Sequence, residues 1–144
     1  VAALATNKST LEDLRVVLCS SGSTTNPNPP AFEGGKDLFW KLNGEAFLGG
    51  SGLGATIVKP CGLGNGEAGK SRLVTGHDDK LPFPGQLLLV NRADVAAVMA
   101  EAAAQRAKGL RFNLCGGLLG HPTQPAEVLK QAAFPWASSA SASA

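Results

Sequence analysis

Tyrosine is missing from the sequence, charged residues are scarce, and no apolar run is long. The 13 basic and 11 acidic residues leave a formal net charge of +2 on 144 residues. Such a balance does not indicate a nucleic acid or an anionic membrane as the partner. No apolar run approaches the ~18 residues of a membrane helix, so we expect no transmembrane segment. The hydrophobic content of 44% is sufficient for one globular domain with its own core.

Cysteine is also sparse, with three residues at widely separated positions, Cys19, Cys61 and Cys115. No two of them form the C-x-x-C pair that is typical of zinc sites, and His77 and His121 lie elsewhere in the sequence. We therefore predict no metal site. An odd number of distant cysteines favours reduced, mostly buried thiols in a protein that is not secreted.

Three segments have the apolar character of buried strands, and three others have helical periodicity. The predicted strands are residues 15–19, 55–60 and 110–115, and the predicted helices begin near residues 36, 91 and 124. A further short strand is predicted at residues 71–74. Regular alternation of strands and helices predicts an α/β fold with a parallel sheet. The small number of strands indicates part of a doubly wound sheet rather than a complete one.

The predicted domain organisation is one α/β unit over residues 1–136 and a low-complexity tail, ASSASASA, over residues 137–144. Residues 20–35 are rich in Ser, Thr, Asn, Pro and Gly, and a loop of that length is usually functional or mobile. Because the sequence begins with Val1 rather than methionine, we expect that a targeting segment was removed or that the chain is a piece of a longer one.

The first predicted helix has an apolar face and ends at a pair of glycines. The face is predicted to comprise Leu38, Phe39, Leu42, Ala46 and Phe47. Trp40, beside Phe39, is predicted to lie in the core or at an interface. In the second helix, either Asn91 or Asp94 is predicted to serve the N-terminal turn.

The segment GLGNGEAGKS, residues 62–71, matches two phosphate-binding patterns. Gly64, Gly66 and Gly69 match the dinucleotide fingerprint, whereas Gly64, Gly69, Lys70 and Ser71 match the P-loop of nucleoside triphosphatases. Both patterns require a strand directly before and a helix directly after the loop. The residues after Ser71 include glycines and prolines that prevent a helix. We therefore interpret this segment as a glycine-rich surface loop.

Four motifs occur in an order that is characteristic of a known family. They are VVLCSSGSTTNPNPP, then WKLNGEAFLGGSGLGATIVKPCGL, then VNRADVAAVMAEA, and finally FNLCGG with PTQPAEVLKQAAF. Over about residues 15–134 the sequence resembles the C-terminal half of atypical short-chain dehydrogenase/reductases, the NmrA-like and plant NAD(P)-binding Rossmann proteins. The resemblance implies an NAD(P)-binding α/β domain whose parallel strands end at a common ligand-binding edge.

The resemblance also assigns roles to individual residues. It implies that Ser21 is the catalytic serine, with Ser20 as the alternative and as a cofactor-binding residue, and that Lys41 is a catalytic residue that holds the nicotinamide ribose. The backbone turn against the nicotinamide corresponds to Pro60, Cys61, Gly62 and Leu63. The implied cofactor is NADP or NAD, with loss of cofactor binding as the alternative.

Two departures from the family pattern concern the chemistry. Asp37 stands where the family has the tyrosine of Y-x-x-x-K, and a carboxyl group replaces that proton donor only when burial raises its pKa far above ~3.9. The family's pyrophosphate-binding glycine motif, on its first strand and helix, does not occur in this chain. The resemblance therefore implies a degenerate or incomplete oxidoreductase site.

A non-catalytic role is the alternative that these departures leave open. A partial sheet has an open strand edge, which calls for a protein partner that covers it. Relatives of this fold occur in chloroplasts with photosynthetic or import machinery, so the resemblance implies a structural or assembly subunit of such a complex. It favours a chloroplast location, with the cytoplasm as the alternative.

Overall fold

The computed structural model describes residues 13–26, 36–80 and 89–140, with side chains of the last helix described as far as Ala133. Six strands and three helices lie in these ranges. The strands are β1 (Arg15–Cys19), β2 (Gly54–Pro60), β3 (Gly62–Gly64), β4 (Leu73–Gly76), β5 (Leu89–Asn91) and β6 (Leu110–Gly116). The helices are α1 (Lys36–Gly50), α2 (Arg92–Ala104) and α3 (Pro125–Ala140).

The main sheet has four strands in the order β1-β2-β6-β4. The first three are parallel, with Cys19 opposite Val58 and Val58 opposite Phe112. This arrangement confirms the predicted α/β class and the three predicted apolar strands. β4 lies antiparallel to β6 and begins two residues after the start of the predicted strand at 71–74. A separate pair, β3 and β5, forms a two-stranded parallel sheet.

The principal core lies between one face of the sheet and the helices α2 and α3. Its fully buried side chains include Val58, Phe112 and Leu114 of the sheet and Val98 and Val128 of the helices. Successive residues of a strand point to opposite faces, so the neighbouring Lys59 and Asn113 belong to the other face. α1 packs on that second face, against β2 and, through Glu45, against Arg111 of β6.

The predicted apolar face of α1 is only partly correct. Leu38 is buried and Leu42 is half-buried, but Phe39 and Phe47 are 57% and 78% exposed. Trp40 is 68% exposed and packs edge-to-face on Phe39, so it does not lie in the core. The reason is that a helix buries one narrow stripe against a sheet, and the three aromatic side chains lie outside it.

The ends of the helices and strands differ in part from the predicted ones. α3 extends to Ala140, beyond the end predicted near residue 134, so its backbone includes residues 137–140 of the predicted tail. Residues 1–12, residues 27–35 of the predicted long loop and residues 141–144 lie outside the described residues. β1 is half-buried rather than fully buried, because within the described ranges only β2 pairs with it. Across these ranges, none of the helices has the length and apolar character that crossing a membrane requires.

Candidate functional site

A short loop that follows β1 lies against the carboxyl end of β2. We call residues 20–26 the serine loop. The Ser20 amide donates to the Val58 carbonyl at 2.8 Å, and the Gly22 amide donates to the Pro60 carbonyl at 2.7 Å. Glycine suits position 22, because a Cβ atom there would lie 3.2 Å from the Pro60 oxygen, a tight contact. The loop therefore continues the pairing of β1 along the edge where the parallel strands end.

Glu45, on α1, binds two hydroxyl groups of the serine loop. Its Oε1 accepts hydrogen bonds from the hydroxyls of Ser20 and, at 3.0 Å, Thr24. Its Oε2 accepts two from Arg111, at 2.7 and 2.9 Å. A buried carboxylate requires such compensation, since the loss of its water is costly without a cation and donors. Glu45 thus connects the helix, the loop and β6.

A tight turn at residues 77–80 presents Asp79 to the serine loop. The Lys80 amide donates to the His77 carbonyl at 2.9 Å, and the two central residues, Asp78 and Asp79, have φ values of 52° and 58°. Aspartate is one of the few residues that adopt this left-handed conformation readily. The conformation directs the Asp79 side chain toward the sheet, where its partners lie.

Asp79 accepts hydrogen bonds from four different residues. Its Oδ1 accepts the Ser23 amide and the Asn113 side chain, both at 2.7 Å. Its Oδ2 accepts the amide of Thr25 at 2.8 Å, the hydroxyl of Thr25, and Nζ of Lys59 at 3.1 Å. The Lys59 side chain is fully buried, whereas that of Asp79 is 12% exposed. Burial raises the pKa of Asp79, but the hydrogen bonds from Thr25, Asn113 and Lys59 outweigh it, so the net pKa lies well below 3.8.

The residues to which the sequence assigned roles are brought together only in part. Ser21 is half-buried near the start of the serine loop, and within the described residues its hydroxyl has no hydrogen bond. The Ser20 hydroxyl is already bound to Glu45. Lys41 is exposed on α1, one helical turn before Glu45, which is about 6 Å along the helix axis. Asp37, one turn earlier, is also exposed, so it lacks the burial that a proton-donating carboxyl group requires.

The turn after β2 is linked to β6 by a backbone bond and a disulfide. Pro60 is buried and Leu63 is exposed, while the Cys61 amide donates to the Leu114 carbonyl at 2.9 Å. Cys61 is bonded to Cys115, with Cα atoms 5.1 Å apart. The prediction of three reduced, mostly buried thiols is therefore wrong for this pair. It failed because parallel pairing brings two residues that are 54 positions apart to the same sheet edge.

The glycine-rich segment uses its backbone donors within the protein. The Gly66 amide donates to Asn91 Oδ1 at 3.0 Å, and the Gly69 amide donates to Asp94 Oδ1 at 2.7 Å. A carboxylate thus occupies the position that a phosphate would need, and the strand β4, rather than a helix, follows Ser71. Both observations agree with the interpretation as a surface loop. Asp94 lies in the first turn of α2, as predicted, and Asn91 precedes the helix without capping it by its side chain.

Sequence reasoning missed the paired charges of this site: the buried Glu45 and Lys59, and the partly exposed Asp79 and Arg111. The available signal was Lys59, a cation inside the apolar strand ATIVKP, because a buried lysine requires a carboxylate partner. Within the ranges that the structure describes, no group of three His, Cys, Asp or Glu side chains is arranged to hold a metal ion.

A parallel sheet flanked by helices, with loops that meet at its carboxyl edge, is typical of doubly wound folds, which include the NAD(P)-binding Rossmann-like domains. The model of the NAD(P)H-binding family matches residues 10–106, which is more than half of the chain. The chain therefore belongs to that family, and its fold is that of NAD(P)-binding oxidoreductases.

Two curated proteins share a part of the sequence. An uncharacterised chloroplastic protein of Arabidopsis thaliana is 36% identical over 90 residues, which are 61% of this chain and 27% of that protein. Sanguinarine reductase of Eschscholzia californica is 37% identical over 68 residues, which are 47% of this chain and 24% of the reductase. The chain thus spans about a quarter of the length of these curated relatives.

Solved structures of similar fold are about twice as long as the region they share with this chain. A Bacillus halodurans protein assigned to the NAD-dependent epimerase/dehydratases matches with a TM-score of 0.62 and 28% identity, over 80% of this chain and 50% of its own. The chuY protein of E. coli matches with a TM-score of 0.55 and 26% identity, over 72% and 57%. The oxidoreductase ylbE of Lactococcus lactis, at 20% identity and a TM-score of 0.60 over 79% and 49%, supports the fold alone.

Proposed function

We propose that this chain forms the nicotinamide-facing part of an NAD(P)-dependent oxidoreductase-like site that is degenerate or incomplete. The observation that carries this proposal is the position of Ser21. It lies at the carboxyl edge of the parallel sheet, and the residues on both sides of it in the loop are fixed by hydrogen bonds. Doubly wound sheets bind ligands at that edge.

Each proposed site residue has a role that its position supports. Ser21 contacts the reacting group, because its hydroxyl has no partner in the described part of the chain. Lys41 holds the nicotinamide ribose from the exposed surface of α1. Ser20 lines the cofactor site by its backbone, since its hydroxyl is bound to Glu45. The turn from Pro60 to Leu63, through Cys61 and Gly62, provides the backbone wall against the nicotinamide.

The proposed cofactor is NADP or NAD, and the reaction class follows from the relatives. One of them is named a reductase, and one is named chloroplastic, so we propose a reductive role and a chloroplast location. Asp37 occupies the position of the family's tyrosine, and this difference is the reason that we propose a degenerate oxidoreductase site. Without tyrosine at that position, the chain supplies no phenolic proton donor.

NADPH binding is the measurement that tests this function. In the full native protein, we expect NADPH to bind and Ser21→Ala and Lys41→Ala each to weaken binding by up to about tenfold, since each removes one polar contact. Lys36→Ala, which removes another exposed lysine of the same helix, is the control and should change binding less than twofold, within the scatter of surface substitutions. Absence of NADPH binding at high micromolar cofactor would contradict the proposal.

A non-catalytic assembly role is the second candidate, and the exposed aromatic surface of α1 favours it. This surface consists of Phe39, Trp40 and Phe47. On the same helix, a groove of about 450 Å³ between α1 and the sheet is lined largely by apolar side chains, including Leu42, Ala46 and Ile57. Exposed apolar surface of this kind is typical of an interface. The proposed occupant is a protein subunit with an apolar face that also covers the edge of β1 on which the described residues place no strand.

The native mass of the protein tests the assembly role. Isolated from its source, the protein should sediment as part of a larger assembly, and Trp40→Ser with Phe47→Ser should release it as a monomer. Each truncation of a buried interface aromatic is expected to cost about 2 kcal/mol of binding or more. Leu118→Ser with Leu119→Ser, at another exposed apolar position, is the matched control and should leave the assembly intact. A monomeric mass for the unaltered protein would contradict this role.

A further inference from the structure

Two carboxylates and the edge of β2 hold the serine loop. The amides of Ser20 and Gly22 donate to β2, and the hydroxyls of Ser20 and Thr24 donate to Glu45 on α1. The amides of Ser23 and Thr25 donate to the carboxylate of Asp79. Ser23 has a φ of 67°, an uncommon conformation for a serine that requires support from its surroundings. Asp79 provides that support from a turn more than 50 residues away in sequence.

The carboxylate of Asp79 is itself fixed to the sheet. Asn113, on β6, donates to Asp79 Oδ1 at 2.7 Å and accepts from the Asp79 amide at 3.1 Å. The Nζ atom of Lys59, on β2, donates a hydrogen bond to Asp79 Oδ2. A rigid support of this kind orients the loop more precisely than a contact between two loops would, because strands hold their side chains in place.

We infer that Asp79 is a positioning residue that fixes the serine loop on the sheet edge and thereby sets the direction of Ser21. This inference rests on the proposed role of Ser21 toward the nicotinamide. Five donors meet the two oxygens of Asp79: two amides, the Thr25 hydroxyl, the Asn113 side chain and the Lys59 ammonium. Only an ionised carboxylate accepts hydrogen bonds from all five donors. An asparagine side chain has one acceptor oxygen, and its NH2 group would face the donors that now bind the other oxygen.

Asp79→Asn is the substitution that removes the acceptor with the least change in shape. Asparagine tolerates the left-handed backbone of this turn as well as aspartate does, so the turn itself is preserved. Asp78→Asn is the matched control, because Asp78 occupies the same turn in the same conformation but its exposed carboxylate binds Arg111. Lys59→Met combined with Asp79→Asn provides a second variant, free of the unpaired buried cation, in case Asp79→Asn fails to fold.

Hydrogen exchange measures the anchoring directly in the full native protein. We expect Asp79→Asn, or the double variant with Lys59→Met, to speed exchange of the Ser23 and Thr25 amides about tenfold or more. The amides of Val58 and Phe112, inside the sheet, report the global loss of stability and should remain much slower than those of Ser23 and Thr25, which shows that the fold is intact. Unchanged exchange at Ser23 and Thr25, or an equal acceleration in Asp78→Asn, would overturn the inference.

Cofactor binding then tests whether the effect passes through Ser21. Asp79→Asn should weaken NADPH binding by about tenfold and change the fluorescence of the bound nicotinamide. In a Ser21→Ala background the same substitution should change binding less than about twofold, because the group that it positions has gone. A full additional loss in the Ser21→Ala background would overturn the positioning role.

A failure of the proposed function would give results that differ from those of a failed positioning role. If the unaltered protein does not bind NADPH, the cofactor proposal fails whatever the exchange data show. The anchoring by Asp79 is then decided by hydrogen exchange alone: accelerated exchange of Ser23 and Thr25 supports it, and unchanged exchange overturns it.

Discussion

Reduction of the Cys61–Cys115 disulfide is expected to lower the free energy of unfolding by about 4 kcal/mol. The bond joins residues that are 54 positions apart, so in the unfolded chain it closes a long loop and restricts the denatured ensemble. Its Cα atoms are 5.1 Å apart, a separation that a disulfide spans without movement of the backbone. The bond also ties the turn after β2 to the end of β6, where Cys115 is fully buried.

Urea unfolding with and without a thiol reductant measures this contribution. The midpoint should fall on reduction, and Cys61→Ser should reproduce the fall in oxidising buffer. Cys19→Ser is the control, since Cys19 is exposed and unpaired and should leave the midpoint unchanged in both buffers. Equal midpoints with and without reductant would contradict the prediction. Cys61 also belongs to the proposed cofactor turn, so NADPH binding measured in both redox states would show whether the disulfide shapes that turn.

The strands of the parallel sheet were predictable because local composition determines them. RVVLC and LRFNLC are short apolar runs next to loop-forming residues, and the structure has strands there with ends that differ by at most one residue. The pairing of β4 with β6 was not predictable. Whether a strand joins a parallel sheet in the antiparallel direction depends on the path of the chain, and the composition of the four residues of β4 does not reveal it. β3 and β5, each of three residues, are too short to show a period at all.

The parts of the candidate site that lie at the ends of strands were predictable from the sequence. The side chains whose partners are distant in the sequence were not. The position of Ser21 follows from the end of β1 and the loop composition after it. The partners of Glu45 and Asp79 lie 20 or more residues away, and nothing near either carboxylate in the sequence identifies them. The failure for Phe39 and Phe47 has a related cause, because hydrophobicity alone does not specify which side of a helix meets the sheet.

Asp79→Asn is expected to destabilise the fold more than Lys59→Met, although both break the same ion pair. The reason is the difference in burial of the groups left behind. Without the carboxylate, the fully buried Lys59 ammonium has no counter-charge, a situation that typically costs about 3–5 kcal/mol. Without the lysine, Asp79 retains the bonds from Ser23, Thr25 and Asn113 and some contact with solvent, so we expect a loss of about 1–2 kcal/mol.

The double variant and the pH dependence distinguish this explanation from simple loss of packing. Lys59→Met with Asp79→Asn should be more stable than Asp79→Asn alone, because the stranded cation is removed. The folded-state pKa of Asp79 lies below its unfolded value, so the stabilisation is fully present above about pH 4 and is lost as the pH falls below 3.8. Urea unfolding from pH 7 to pH 2.5 should therefore show the difference between native protein and Asp79→Asn shrinking at the acidic end. A difference that stays constant with pH, or a double variant less stable than Asp79→Asn, would show that the charge of this pair does not support the site.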